Sequence, residues 1–267
     1  MKESSTIIYT KANKAAWDAS AHLHAQGRSW DELLQAASHP DFNVLDDCLT
    51  ATLTHLGLAG RNAVQIGCNN ARELLSLAAL GFKPSLGIDQ SSRFLAQGAE
   101  LASKTKLNPR LLEANIYQLP TGLGRYDLAL ITIGVINWMP DLQGFFKAVR
   151  GLVSKGGRLV IYETHPILEV FDPAGTNPFL PEMSYFDKSP VKIEEAITYD
   201  GTSGGAGETG YWFVHTLGDI VTACVGNGFQ IQRLEEHAHS NREEEYAIYE
   251  NQSGQLPLCY TLVAQAV

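Results

Sequence analysis

Between residues 62 and 165, short apolar runs and helix-patterned stretches follow one another five times with only brief links. No other feature of the 267-residue chain narrows its possible folds as much. The runs cover residues 62–67, 85–89, 110–114, 126–133 and 158–162, and most stop at a glycine, an acid or a turn. The fourth, Tyr126-Asp127-Leu128-Ala129-Leu130-Ile131-Thr132-Ile133, is apolar on both faces, as a strand buried inside a parallel sheet must be. Residues 72–80, 94–102 and 142–153 instead repeat their apolar side chains at helical intervals, with Phe145, Phe146, Val149 and Leu152 on one stripe. Ser91 stands where a helix N-cap is expected. Such alternation predicts an α/β fold, a Rossmann-like sheet with helices on both faces. A helix over 217–225 and strands over 229–234 and 258–264 bring the expected sheet to seven strands, mostly parallel.

The flanks have a different texture. Residues 1–60 read as a helical extension, with helices around Ala15–Ala21, after Trp30, and over 44–56, where Val44, Leu45, Cys48, Leu49, Leu53 and Leu56 recur at helical spacing before Gly60. Residues 166–214 break the rhythm with Pro166, Pro173, Pro178, Pro181 and Pro190 and the glycine-rich run 201–207. They read as an insertion folded over the sheet, with an exposed strand over 191–197, and such insertions often shape a ligand pocket. The expected division is therefore a helical lid (1–60), a ligand-binding core (61–165), a cap (166–214) and a C-terminal part of the core sheet (215–267).

Composition narrows the partners. The net charge is −9, and no Lys/Arg run provides the basic face that a phosphate-backbone binder carries. Cys48, Cys68, Cys224 and Cys259 form no C-x-x-C pair and read as reduced thiols. Residues 1–11 are polar and lack a signal core, and no stretch approaches the ~18 apolar residues of a membrane span. The expectation is a cytoplasmic protein, a homo-oligomer or not, that handles a small molecule rather than nucleic acid or membrane.

Gly67-Cys68-Asn69-Asn70 follows the first strand. In open α/β sheets ligands bind beyond the carboxyl ends of the strands, and the chain there needs residues that tolerate a positive φ, a role suited to Gly67, Asn69 and Asn70. Asp89 ends the second strand at the spacing, about 20 residues, where an acid accepts both ribose hydroxyls of a nucleotide. The blander alternatives are a plain strand-to-helix turn and an acid that caps the next helix.

Five segments together resemble the class I S-adenosylmethionine (SAM)-dependent methyltransferases. Val64-Gln65-Ile66-Gly67-Cys68-Asn69-Asn70-Ala71-Arg72-Glu73 is similar to their first motif, and Leu86-Gly87-Ile88-Asp89-Gln90-Ser91 to the second. Glu113-Ala114-Asn115-Ile116-Tyr117-Gln118-Leu119-Pro120 resembles the third, Tyr126 through Trp138 the fourth, and Leu152-Val153-Ser154-Lys155-Gly156-Gly157-Arg158-Leu159 the turn before the fifth strand. The Gly-Cys-Asn-Asn version and the Ile161-Tyr162-Glu163-Thr164-His165-Pro166 ending are closest to a bacterial small-molecule branch. The resemblance implies SAM as cofactor, with the backbone of Gly67, Cys68 and Asn69 along the methionine portion. It also implies Asp89 on the ribose, the stem of Gln90 over adenine, Asn115 and Ile116 bracketing adenine, and Thr132 and Gly134 near the amino-acid end. The chain departs from the family pattern at Gln65, Asn69, Ala71 and Asn115, where the family has an acid, two glycines and an acid.

Methylation of a protonated nucleophile is helped by a base. His165 is the expected one, since imidazole titrates near neutrality, with Glu163 and His215 as further candidates. Trp17, Trp138 and Trp212 are the expected acceptor-contacting residues, and the aromatics at 183–186 and 211–213 suggest an apolar or aromatic acceptor. The Asn-Pro-Pro-aromatic signature of amide and base N-methylation is absent after the fourth strand, and no metal ligand set is evident. His237-Ala238-His239 reads as a polar surface strand. The expected function is SAM-dependent methyl transfer to N, O or C of a small molecule. A non-catalytic SAM- or nucleotide-binding module and an NAD-type oxidoreductase are the alternatives.

Overall fold

A computed structural model describes residues 4–198 and 204–267; positions 201–203 of the glycine-rich run lie outside the described residues. The alternating core forms β1 (Asn62–Ile66), α4 (Arg72–Ser76), β2 (Lys83–Asp89), α5 (Ser92–Thr105), β3 (Arg110–Glu113), β4 (Tyr126–Thr132), α6 (Leu142–Leu152) and β5 (Val153–Thr164). Three helices precede it: α1 (Ser5–Ser20), α2 (Gly27–Ala37) and α3 (Asp47–His55). After it come β6 (Val191–Glu195), β7 (Ala206–Trp212), α7 (Leu217–Gly226), β8 (Phe229–His237) and β9 (Cys259–Ala266).

The seven-stranded sheet runs β3-β2-β1-β4-β5-β9-β8. β1 to β5 pair in parallel, and β9 is antiparallel to both β5 and β8. The order reverses between β1 and β4, so their carboxyl ends diverge and leave a crevice there. Side-chain alternation on β4 accounts for its two apolar faces. Ala129 and Ile131 pack with Phe145, Phe146 and Val149 of α6, whereas Leu128 and Leu130 pack with Leu49, Leu53 and Leu74 on the opposite face.

Local chemistry sets the element ends. The third helix starts at Asp47, later than its apolar pattern, because the Asp46 carboxylate accepts the Leu49 N–H. Ser91 caps α5 by accepting the Phe94 N–H, as expected. The helix after β1 tightens to a 3₁₀ turn at Leu77–Leu80 before Gly81, which has φ +82°. The turn expected at Gly156-Gly157 lies inside β5: Tyr126 pairs with Val153 and Leu128 with Arg158, so the intervening residues bulge from the ladder.

β6 and β7 form a separate two-stranded antiparallel sheet. Helix α1 lies against β7 through Asn13, whose Nδ2 donates to Tyr211 O (3.0 Å) and Trp138 O (3.3 Å) and whose Oδ1 accepts the Tyr211 N–H (2.6 Å). Ser20 Oγ accepts the Ile197 N–H, and Asp18 accepts from Ser91 Oγ (2.6 Å). The helix thus joins the 191–212 hairpin to the start of α5.

Candidate active site

A cavity of about 540 Å³ is lined by Ile66, Gly67, Asn69, Asp89, Gln90, Asn115, Ile116 and Gly134 around the carboxyl ends of β1, β2 and β4. Thr10 and Trp17 of α1, residues of the β6 strand, and Trp138, Glu169, Trp212, Glu243, Glu245 and Tyr246 complete it. A larger groove of about 980 Å³, lined by Tyr117, Leu119, Lys147 and Leu152 among others, holds of the predicted site residues only Ile116.

Asp89 is set by two backbone amides. Its Oδ2 accepts the Asn69 N–H (2.7 Å) and its Oδ1 the Ser91 N–H (2.8 Å). Burial pushes its carboxyl above the ordinary range, against the pull of those amides. Each oxygen keeps a lone pair, so the carboxylate can still take two hydroxyl donors. Gly67 has φ +65°, and a Cβ there would lie 2.6 Å from Val135 Cγ2. Asn69 is left-handed at φ +50°, but the other left-handed residue is Ala71 (φ +60°), not Asn70. Asn70 instead donates its own N–H to Asn69 Oδ1 (2.8 Å).

The three predicted tryptophans meet as one wall. Trp138 sits edge-to-face with Trp17 (centroids 5.3 Å) and with Trp212 (5.1 Å). Trp212 Nε1 donates to Glu169 Oε2 (2.8 Å), and Asn137 Nδ2 to Glu169 Oε1 (3.1 Å).

Residues 64–161 match the family described as a methyltransferase domain. A demethylmenaquinone methyltransferase of Alkalihalophilus pseudofirmus is 30% identical over 116 residues, 42% of this chain and 49% of that protein. The chain thus spans about half the length of that curated relative. A solved SAM-dependent methyltransferase from Mesorhizobium loti superposes with TM-score 0.58 at 20% identity, over 89% of this chain and 97% of the other. The Synechocystis magnesium protoporphyrin IX methyltransferase with bound SAM gives 0.53 at 16% identity, over 98% and 96%. The segment from β1 to β5 thus matches a methyltransferase domain, and the fold is shared with solved SAM-dependent methyltransferases.

The residues around this cavity fit SAM. Asp89 offers its free lone pairs, and the cradle at Gly67 keeps backbone rather than a Cβ beside Val135. Three of the expected contacts are placed otherwise. Cys68 is fully buried, and its N–H donates to Ile88 O (3.0 Å) across to β2 rather than into the cavity. Thr132 is buried and accepts from Gln65 Nε2 (3.0 Å), and neither residue lines the cavity. Asn115 lines it, but its Oδ1 accepts the Tyr117 N–H (3.1 Å) and its Nδ2 donates to Thr10 Oγ1 (2.7 Å). The amide expected over adenine thus anchors α1.

None of the three expected bases lines this cavity. His165 Nδ1 accepts the Ile167 N–H (3.1 Å), which leaves the proton on Nε2, facing Glu236 Oε1 at 2.9 Å. Both ring nitrogens are therefore committed. Glu163 is buried and receives the N–H groups of Gly134, Val135 (2.9 Å) and Ile136 (3.1 Å). It holds the turn after β4, and burial pushes its carboxyl up to about 7. His215 Nε2 meets Met139 O (2.8 Å), and burial pulls its pKa down.

Sequence reasoning missed Glu169, Glu243, Glu245 and Tyr246. Glu243-Glu244-Glu245 is an acid run with no local signal for a site, and the chain's return between β8 and β9 brings Glu243 and Glu245 to the cavity. The reading of His237 and His239 as a polar strand also changes. β8 ends at His237, and Cys48 joins the pair so that their ligand atoms lie within 4.8 Å of one another. None of the three lines the cavity, and His237 Nε2 also meets Thr261 Oγ1 (3.0 Å).

Proposed function

We propose that the protein transfers the methyl group of SAM to a small molecule held against the tryptophan wall. The observation that carries this is the amide-held Asp89 carboxylate opening into the same cavity as Trp17, Trp138 and Trp212. In this reading Asp89 binds ribose, Gly67 and Asn69 approach the methionine portion, Gln90 and Ile116 flank adenine, and Gly134 lies near the transfer point. When bound, SAM supplies a methyl group activated by its sulfonium. The protein's own task is then to orient the acceptor and exclude water. Helix α1 and residues 166–214 act as lid and cap, consistent with Thr10, Trp17, Ile193 and Trp212 lining the cavity.

No described helix is long and apolar enough to cross a membrane, and we assign the reaction to the cytoplasm. The antiparallel β9 between β5 and β8 favours this reading over an NAD-type oxidoreductase, whose sheet continues in parallel beyond β5. A cavity left open beside the cofactor-side residues favours an enzyme over a binding module.

Calorimetric titration tests the reading. SAM and its demethylated product, S-adenosylhomocysteine (SAH), are expected to bind and NAD not. Asp89→Asn is expected to weaken both by about 10–100-fold, the value of a charge-assisted hydrogen-bond pair. Binding of NAD with no response to SAM would overturn it.

A further inference from the structure

The cavity carries an unusual charge balance. Five carboxylates line it (Asp89, Glu169, Glu195, Glu243 and Glu245), and among its described lining residues there is no Lys, Arg or His. Asp89 faces the cofactor positions. Glu169, Glu243 and Glu245 instead gather around Tyr246, outside the segment matched to the methyltransferase family, and Glu169 also holds the Trp212 indole that packs on Trp138.

These three glutamates are not equivalent. Glu169 is fixed by the Trp212 indole and the Asn137 amide. Glu243 is half-buried, lines the cavity, and has no hydrogen-bond or ion-pair partner for its side chain among the described residues. Burial and the neighbouring Glu245 charge push its carboxyl up to about 7, against the weaker pull of the Arg242 and Arg72 charges outside the cavity lining. Glu245 is raised as well, by burial and by Asp172. An unpaired half-buried carboxylate is costly, and a second acid beside it adds repulsion. Either a bound cation or a proton relieves both. Two indole rings next to those acids form the other half of a cation site, because the ring faces attract ammonium groups within about 6 Å.

The sulfonium of SAM brings one positive charge, fewer than the glutamates present. Resting on the SAM reading above, we propose that the methyl acceptor carries a cationic nitrogen, a protonated amine or a more substituted ammonium, seated on Glu243 with Glu169 and Glu245 and flanked by Trp138 and Trp212. The carboxylates set the charge of the acceptor, and the tryptophans set its flat apolar body. A neutral or anionic acceptor, such as a phenolate, leaves Glu243 unpaired.

Three indoles that differ only in side-chain charge separate the cases. Tryptamine, indole-3-ethanol and indole-3-acetate are titrated into the full-length protein saturated with SAH. Tryptamine is expected to bind at least about 10-fold more tightly than the alcohol, with no binding of the acetate. Glu243→Gln, and separately Glu169→Gln, should each bring the amine down to the level of the alcohol while SAH affinity stays within about twofold. The second variant covers the case in which the first fails to fold, which thermal melting reports. Equal or weaker binding of tryptamine, binding of the acetate, or no amine binding overturns the inference while SAH binding keeps the SAM reading intact. Failure to bind SAH sinks both.

Discussion

Glu163 and His165 sit two residues apart at the end of β5, and both carry chemistry suited to a base. What each does is decided by the groups aimed at it. Three backbone amides converge on Glu163, and an amide and Glu236 occupy the two nitrogens of His165. A positioning role for Glu163 has a signature that a catalytic base lacks. Glu163→Gln leaves one acceptor oxygen and a donating amide facing three N–H groups. It is expected to cost about 1–3 kcal/mol of stability and to weaken SAH binding, both read from thermal melting with and without SAH. Unchanged stability with a large loss of turnover would restore Glu163 as a base. Gly67→Ala probes the cradle, since it combines a positive φ with a Cβ 2.6 Å from Val135. SAH affinity is expected to fall at least about 10-fold in calorimetry, through a shifted turn rather than a lost side chain. Asp89 and Gly67 were legible from residue type and spacing alone, because an acid at a strand end and a glycine at a turn are required locally. Glu243 was not, because its surroundings come from elements far away in sequence.

Elements with a strong period were legible to within a few residues. β2, β4, α6 and α7 follow their apolar patterns closely, since each buries a defined face. Helix α1 was anticipated only in its second half. It begins at Ser5, and its buried residues are Thr10, Asn13, Ala16 and Ser20, a stripe too polar to stand out in sequence. Asn13 meets β7 through three hydrogen bonds, so tertiary pairing replaces the apolar stripe. Helix α7 is the opposite case. Thr216 accepts the Asp219 N–H while the Asp219 carboxylate accepts the Thr216 N–H, a reciprocal cap. Thr216→Ala is expected to cost about 1 kcal/mol, a fall of about 2–4 °C in Tm, with SAH binding unchanged. No shift in the melt would mean that packing of Ile220, Ala223 and Cys224 alone holds the helix.

At the scale of the whole molecule, the buried glutamates make stability depend on pH. Glu163, Glu169 and Glu243 each titrate near 7, well above the ordinary 4.5, and burial is the largest cause for all three. A raised folded-state value means that folding favours the neutral acid. The stabilisation is therefore complete below about pH 4.5 and is lost as pH rises through about 7. His165 and His215, kept neutral by burial, act in the opposite sense as pH falls through their range. Glu169→Gln isolates the acid contribution because glutamine cannot ionise. Its Tm relative to the parent is expected to rise between about pH 5 and pH 8. A constant difference would show that Glu169 stays neutral, or stays charged, across that range.

By itself the sequence determined the alternating core, the seven-stranded sheet, and the turn and acid that line the cavity. Those features follow from short-range periodicity and from residues a strand end locally demands. Only the tertiary structure decided which charged groups face the cavity. It withdrew His165, Glu163 and His215 by supplying them with hydrogen-bond partners, and it brought Glu169, Glu243 and Glu245, which carried no local signal, to the cavity. The physical reason is that burial and desolvation are properties of the assembled chain. A carboxylate's role depends on distant backbone amides and neighbouring charges, and no local pattern encodes them.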